Sequence, residues 1–421
     1  MTNPTSRWRY RAFEVFGIEI EYGIVSAESL EVLPSAEWLL RDGDSQVVGE
    51  LLRGAVTRSN ELAAHVIELK LTEPASRIVD RGPDLQGEIK AMNDQLAGLG
   101  ARLLPTAMHP WFDPIHDSRL WPYEGSEIYQ AFDRIFDCRR HGWTNVQSVH
   151  LNLPFADQDE FERLHAASRL ALPLLPLLAA SSPYVEGQAS GMADTRLSFY
   201  RHHSDAIAAA GGQTIPEPID SEFDYRQSIY LPIAEALREL DPEGVLREEW
   251  VNARGAMPRF DRGSIELRLL DSQEYLTGDL ALAQAVASVV RGLFEADASD
   301  AAAQNAYATS DLVSLLDRGI VSGSDTWIDC PDFLRLFGVS EQPRSAVGVW
   351  GDLLERSVAR GYLALDHRSF AALEGVLARG CLARRIRDAV GDSCSRSTLQ
   401  SVYRELAACL EEDRAFGGRG S

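Results

Sequence analysis

Several stretches of this chain carry ionisable side chains at every second position, which on an extended backbone gathers them on one face. In Phe13–Val25 (FEVFGIEIEYGIV), Glu19 and Glu21 stand opposite Phe16, Ile18, Ile20 and Tyr22. In His65–Thr72, Glu68 and Lys70 stand opposite Ile67, Leu69 and Leu71. Val146–Pro154 sets Ser148, His150 and Asn152 against Val149, Leu151 and Leu153, and Gly263–Ser272 sets Glu266 and Arg268 against Ile265, Leu267 and Leu269. Arg102–His109 is a fifth, shorter and less regular segment. An antiparallel sheet with one solvated face would also alternate. A plain solvent face, however, carries Thr, Lys, Gln and mixed charge, whereas this one is rich in carboxylates, which strands disfavour. Glu19 and Glu21 are like charges roughly 6–7 Å apart by strand rise. Several such strands side by side repel unless cations neutralise them.

Hard oxygen ligands with one imidazole suit Mg²⁺ or Mn²⁺ better than zinc. Carboxylates on adjacent strands suggest two or more metals, an arrangement that clamps phosphates. Arg268, on the face of Glu266, either meets a phosphoryl group with its permanently charged planar fork or pairs with a neighbouring glutamate. The rest of the composition narrows phosphate handling further. Of 41 basic residues only Lys70 and Lys90 are lysines, no G-x-x-x-x-G-K-[ST] phosphate loop exists, and a Schiff base would need one of those two positions. The net charge is 41 − 63 = −22, which disfavours nucleic acid and anionic membrane as partners.

The elements that hold these residues divide the 421-residue chain in two. An α+β core is expected over 1–275 and a helical part packed on it over 276–421, as one continuous unit. Apolar spacing near 3.6 marks helices at Leu280–Phe294, Ala346–Ala359, Ser369–Val390 and Thr398–Leu410. Loop-like text fills 27–48, 111–125, 202–224 and 320–345, and Phe416 with the residues after it reads as a frayed tail. Five scattered cysteines form no C-x-x-C pair, so neither a zinc ribbon nor a disulfide framework is indicated. The apolar run Leu170–Ala180 contains Pro173 and Pro176 and is too short to span a bilayer. The first residues lack the apolar stretch of a secretory signal. A cytoplasmic protein is expected.

Four motifs, G-I-E-I-E-Y at 17–22, A-M-H-P at 107–110, S-V-H-L-N-L at 148–153 and S-I-E-L-R-L-L-D at 264–271, occur here in the order found in the glutamate–cysteine ligase type 2 family, which the chain resembles. The stretch A-A-S-S-P-Y-V-E-G-Q-A-S-G-M-A-D-T-R at 179–196 and the helices from about 367 to 413 look like its later segments. The resemblance implies a glutamine-synthetase-like fold: a curved antiparallel sheet of about six strands, its concave face holding Mg²⁺ (or Mn²⁺) and ATP, with helices on the convex side. It implies ATP-dependent amide formation, in which a carboxylate, glutamate by expectation, becomes an acyl phosphate that an amine then displaces. The partners are then small molecules, with a homodimer as a possible assembly. Matching the family's motifs, Glu19, Glu21, Glu61, Glu68, His150 and Glu266 are the metal ligands. Glu266 and Arg268 are the catalytic pair. Two other readings compete: a nucleotide- and metal-binding scaffold that does not ligate, and a metal-dependent hydrolase, for which no H-x-H or H-E-x-x-H is present.

Other residues carry a functional and a structural reading each. His109, held extended by Pro110, lines the substrate cleft or packs in the core. In place of the family's G-T-H-P, this chain has Ala107 and Met108. Asn152 would orient a substrate carboxylate. Arg196 and Arg201 follow the family's glycine-bearing loop and would contact nucleotide phosphates, and Arg254, in N-A-R-G, would contact substrate. Asp271 and Gln273 read as structural, Thr277 as the N-cap of a helix starting near Gly278, and His202 with His203 as a surface loop.

Overall fold

The computed structural model describes residues 9–417; of the expected tail, 418–421 lie outside the described residues. Eight strands form one antiparallel sheet: β1 (Gly17–Ser26), β2 (Glu50–Arg53), β3 (Val56–Asn60), β4 (Val66–Leu71), β5 (Ala101–Leu104), β6 (Ser148–Pro154), β7 (Ala256–Arg259) and β8 (Ser264–Asp271). Their order is β2-β3-β4-β1-β6-β8-β7, with β5 pairing the C-terminal half of β1. The expected sheet of about six strands is thus wider. The additional strands β2, β3 and β7 are short, and β2 and β7 are edges. Edge strands need no apolar alternation, and Pro258 is tolerated in β7 because an edge has a free N–H side.

Register is what builds a charged face. Glu21 lies opposite Glu68, Glu19 lies between Lys70 on one side and His150 on the other, and Glu266 lies opposite Asn152. On the other face Ile18, Ile20, Ile67, Leu69, Leu151, Ile265 and Leu267 are buried in a core shared with helices α1 (Gly82–Ala97), α2 (Gln158–Ala171) and α3 (Leu276–Phe294). Helix α3 is apolar almost all round, as a helix enclosed on every side must be. It packs on α1, α2, β6 and α5 (Ala346–Ala359). The run Leu170–Ala180 ends α2 and continues as short buried helical turns. Among the described residues no helix is long and apolar enough to cross a membrane.

Later elements are α4 (Thr309–Ser322), α6 (His367–Arg379), α7 (Leu382–Val390) and α8 (Arg396–Glu412). The single helix expected over 369–390 is two, because Gly380 turns the chain at φ +84. The stretch 320–345, expected as loop, contains the end of α4, a short helix at Pro331–Leu336 and a two-stranded pairing. Thr277 is not an N-cap. Helix α3 starts at Leu276, and Asp413 accepts from the Thr277 backbone N–H at 2.9 Å and hydroxyl at 2.7 Å, serving the helix end from across the chain. Phe416 is not frayed either. It is fully buried, its N–H donates to Glu274 Oε1 at 3.0 Å, and Glu274 forms a buried ion pair with Arg385 at 2.6 Å.

Candidate active site

The carboxylates of the sheet converge on a cleft of about 470 Å³. His150 sits at its centre, 3.3 Å from Glu19 and 3.7 Å from Glu266 through Nδ1 and 2.8 Å from Ser148 Oγ through Nε2. Ser148 in turn donates its backbone N–H (2.7 Å) and hydroxyl (3.1 Å) to Glu21. Two sets of ligand atoms, one from Glu19, His150 and Glu266 and one from Glu21, Glu68 and His150, each lie within 4.8 Å of one another. Glu61, just past the end of β3, lines the same cleft.

The electrostatics of this cluster calls for cations. Burial, followed by the charges of Glu21, Glu68 and Glu19, pushes the Glu61 carboxyl well above its ordinary range. Burial and then Glu19 raise Glu68 to about 7, against the pull of Lys70 and a hydrogen bond from Ser59. Burial also disfavours a charge on Glu19, yet the His150 hydrogen bond and charge, with Lys70 and Arg259, hold it down at about 2. His150 itself is raised: burial opposes its protonation, but Glu19, Glu21 and Glu266 outweigh it. Carboxylates raised by burial and by one another, beside an imidazole raised by three of them, are the mark of like charges crowded together with few counter-charges. The donor set, all carboxylate oxygen with one imidazole, fits Mg²⁺ or Mn²⁺.

Arg268, two residues along β8 from Glu266, donates to it at 2.5 Å and faces the cleft beside Tyr200. Burial opposes its charge, and Glu266 more than restores it. The paired reading of this arginine is the one observed: it bonds Glu266, and it also lines the cavity. The structure brings Glu19, Glu21, Glu61, Glu68, His150, Glu266 and Arg268 into one cleft. Arg196 reaches the wall and fixes the end of β8 through Nε to Asp271 (2.5 Å) and Nη1 to the Arg268 carbonyl (3.3 Å), while its buried Nη2 has no partner. Asn152 donates to Glu19 at 3.2 Å and faces an adjoining cavity of about 500 Å³, where Lys70 and Arg262 are shared with the cleft.

Three expected residues do not join them. His109 is buried, bonded through Nε2 to the Leu30 carbonyl at 2.7 Å and held by burial at about 3, so the packed reading is the one realised. Arg254 is locked in a bidentate pair with Glu217 at 2.6 and 2.8 Å, away from the cleft. Arg201 pairs with Asp317 on α4. Asp271 and Gln273 are structural as read: Asp271 accepts from Ser181 and Arg196, and Gln273 donates to the Ala179 carbonyl. His202 is exposed, but His203 packs edge to face with Trp143 at 4.5 Å and lines the cleft, so the pair is not simply surface. Lys70, Arg259, Arg262 and Tyr200 were missed as site residues. Lys70 shares a face with Glu68, which the alternation shows, whereas Arg259 reaches Glu266 (3.8 Å) only through strand pairing.

Residues 15–319 match the model of glutamate-cysteine ligase family 2 (GCS2). The chain belongs to this family. An uncharacterized protein of Archaeoglobus fulgidus is 35% identical to this member over 281 residues, 67% of this chain and 75% of the relative. A Rubrobacter xylanophilus protein named "Putative glutamate--cysteine ligase 2-1" is 26% identical over 282 residues, 66% of this chain and 67% of that one. Among solved structures, the glutamate–cysteine ligase of Francisella tularensis in complex with AMP superposes with a TM-score of 0.52 at 13% identity, covering 96% of this chain and 93% of that one. That likeness extends the family's α+β fold over nearly the whole length of this glutamate-cysteine ligase family 2 member.

Proposed function

We propose that the protein is an ATP- and Mg²⁺-dependent carboxylate–amine ligase of the cytoplasm, with glutamate as the acid. The observation that carries this is the pair of carboxylate–imidazole triads on one sheet face with Arg268 beside them. In such a reaction a carboxylate oxygen takes the γ-phosphoryl group of ATP as ADP leaves. The amine nitrogen then bonds to the acyl carbon as phosphate departs with the C–O electron pair. Glu19, His150 and Glu266 would hold one divalent cation, and Glu21 and Glu68, with Glu61 alongside, a second. Bound there, the cations supply positive charge to phosphate oxygens and so let two anionic substrates approach.

The chain's own groups do the remaining work. Arg268, immobilised by Glu266, presents a guanidinium that stays charged and suits the charge spread over a transferring phosphoryl group. Asn152 and Ser148 orient Glu19 and Glu21 through the hydrogen bonds given above, as partners of metal ligands characteristically do.

The test is to incubate the protein with MgATP, glutamate and a panel of amines, following ADP release and the mass of the product. Amine-dependent ADP release with a new amide is the expected result. MgATP binding without turnover across a broad panel would overturn the ligase reading in favour of a nucleotide-binding scaffold.

A further inference from the structure

His203 stands in the wall of the carboxylate cleft and has no part in the cation cluster. Its main chain is pinned. The Trp143 indole Nε1 donates to its carbonyl at 2.9 Å, and a Cβ on Gly142 would come within 2.8 Å of the His203 Cβ. Its ring is pinned as well, edge to face with Trp143 at 4.5 Å and 4.6 Å from the Tyr200 ring. Trp143 and Tyr200 both line the cleft, and neither lines the cavity of about 970 Å³ that borders His203 on the other side of Gly142. The imidazole therefore lies on the cleft side of that packed wall.

Hydrogen bonding leaves one of its nitrogens free. His203 Nδ1 is bonded to the Tyr200 carbonyl, which can only accept, so the neutral ring carries its proton on Nδ1 and its lone pair on Nε2. Nε2 makes no hydrogen bond among the described residues and is not sealed from solvent. Burial, helped by the Arg268 charge and opposed by the Tyr200 carbonyl, holds the ring at about 4, so it is uncharged at neutral pH. The other imidazole of the cleft differs on both counts. His150 is bonded through both nitrogens, to Glu19 and to Ser148, and its neighbours favour the protonated form. The cleft carboxylates face cations, and Glu50 faces Lys70 at 2.5 Å. That leaves His203 as the proton acceptor in the wall that is committed to nothing else.

We propose that His203 is the general base of amide formation, taking through Nε2 the proton that the attacking nitrogen must lose; the assignment rests on the ligase reading above. An acyl phosphate held at Arg268, beside Tyr200, brings its acyl carbon to the part of the cleft that His203 walls. The acceptor enters as the free amine, its ammonium proton left in water. Its nitrogen pair bonds to the acyl carbon as the carbonyl π pair moves to oxygen, which leaves the nitrogen positive. Nε2 takes one N–H proton, the N–H pair stays on nitrogen, and the oxygen pair restores the carbonyl as phosphate departs with the C–O pair. The imidazolium then gives its proton to water. A nitrogen bonded to that carbon is a far stronger acid than an ammonium, so a weakly basic imidazole can take its proton. Phosphate at Arg268 also offsets the charge that depresses His203, and so strengthens the base in the loaded site.

The experiment compares wild type, His203→Ala and His203→Gln in ADP formation at fixed MgATP and glutamate, with L-cysteine, ammonia or hydroxylamine as acceptor. Hydroxylamine is a strong nucleophile, already unprotonated at neutral pH, whose adduct loses its proton to water without help. Both variants should lower kcat with cysteine or ammonia about 10²-fold, the usual share of a positioned base, and hydroxamate formation less than about threefold. Imidazole added to His203→Ala should restore the amine rate, and substituted imidazoles should do so in order of basicity, a trend that a structural loss does not produce. His203→Gln keeps an N–H for the Tyr200 carbonyl and carries the comparison should the alanine variant fail to fold. Equal fractional losses with hydroxylamine and with the amines would overturn the assignment and leave the ligase standing. A wild type that yields neither amide nor hydroxamate removes the ligase reading, and this assignment with it.

Discussion

Glu68→Gln should make the metal-free protein more stable and at the same time blunt its response to divalent cations. Glu68 is 6% exposed and its carboxyl titrates near 7 rather than its usual 4.5, chiefly from burial and then from Glu19. Because the folded value is the higher one, the stability this group contributes is fully present below pH 4.5 and is lost as pH rises through 7. At pH 8 the ionised carboxylate then costs about 3 kcal/mol, at about 1.4 kcal/mol per pKa unit. Glutamine keeps the volume and an oxygen to accept from Ser59. It forfeits the 3.4 Å contact with Lys70, which retains Glu50 at 2.5 Å. The raised value already includes the pull of Lys70, so the variant should gain about 3 kcal/mol at pH 8. With an unfolding entropy of roughly 2 cal/mol/K per residue, that is a rise of about 4 °C in Tm. The assay is thermal unfolding with EDTA and with a series of Mn²⁺ concentrations, at pH 5, 6.5 and 8. The gain in EDTA should be largest at pH 8 and vanish towards pH 5. Added Mn²⁺ should raise the wild-type Tm by mass action and raise that of the variant much less. A variant less stable than wild type in EDTA at pH 8, or one that Mn²⁺ stabilises just as well, would show that these carboxylates do not share a cation site.

Arg268→Ala should lower turnover by about 10²–10³-fold, the usual cost of removing one charge-stabilising donor, in a steady-state ADP assay with unchanged circular dichroism. Asp271→Asn leaves the buried Arg196 guanidinium without its countercharge. It should cost about 3–5 kcal/mol in urea unfolding, and Arg196→Met in the same chain should recover most of that. His165, fully buried between Phe161 and Tyr225, is held at about 3 by burial and then by Arg169 and Arg254. The unfolded chain takes its proton near 6.5 and the folded protein does not until about 3, so this group loses stability as pH falls through that window. Between pH 7 and 5.5 the wild type should lose about 1 kcal/mol relative to His165→Leu, read as the difference between two urea titrations.

Much of the cleft was legible because strand alternation is a local code. Once β1, β4, β6 and β8 pair, the residues that share a face in each strand share one in the sheet, so Glu19, Glu21, Glu68, His150, Glu266 and Arg268 were found two residues at a time. Glu61 lies past the end of β3 and carries no alternation; only the family resemblance pointed to it. Strands β2 and β7 escaped notice because edge positions need no apolar rhythm, and β3 because it is buried between β2 and β4 as Thr57, Arg58 and Ser59, with Val56 its one apolar residue. The break at Gly380 was missed because the apolar spacing continues across it. Phe416 was misread because its burial depends on Glu274 and Arg385, more than thirty residues away in sequence or further.

The arginines mark where sequence reasoning stops, and the reason is physical. A chain with two lysines draws almost all its positive charge from one residue type, so the same side chain must serve both phosphate and the protein's own buried acids. Arg196 is paired with Asp271, Arg254 with Glu217, Arg385 with Glu274, and Arg58 with Glu88. A buried guanidinium needs such a partner wherever it lies, so proximity in sequence to a family loop does not tell Arg196 or Arg201 from a ligand contact. What separates Arg268 is its register: it shares β8 with Glu266, on the face that β6 and β1 line with His150 and Glu19.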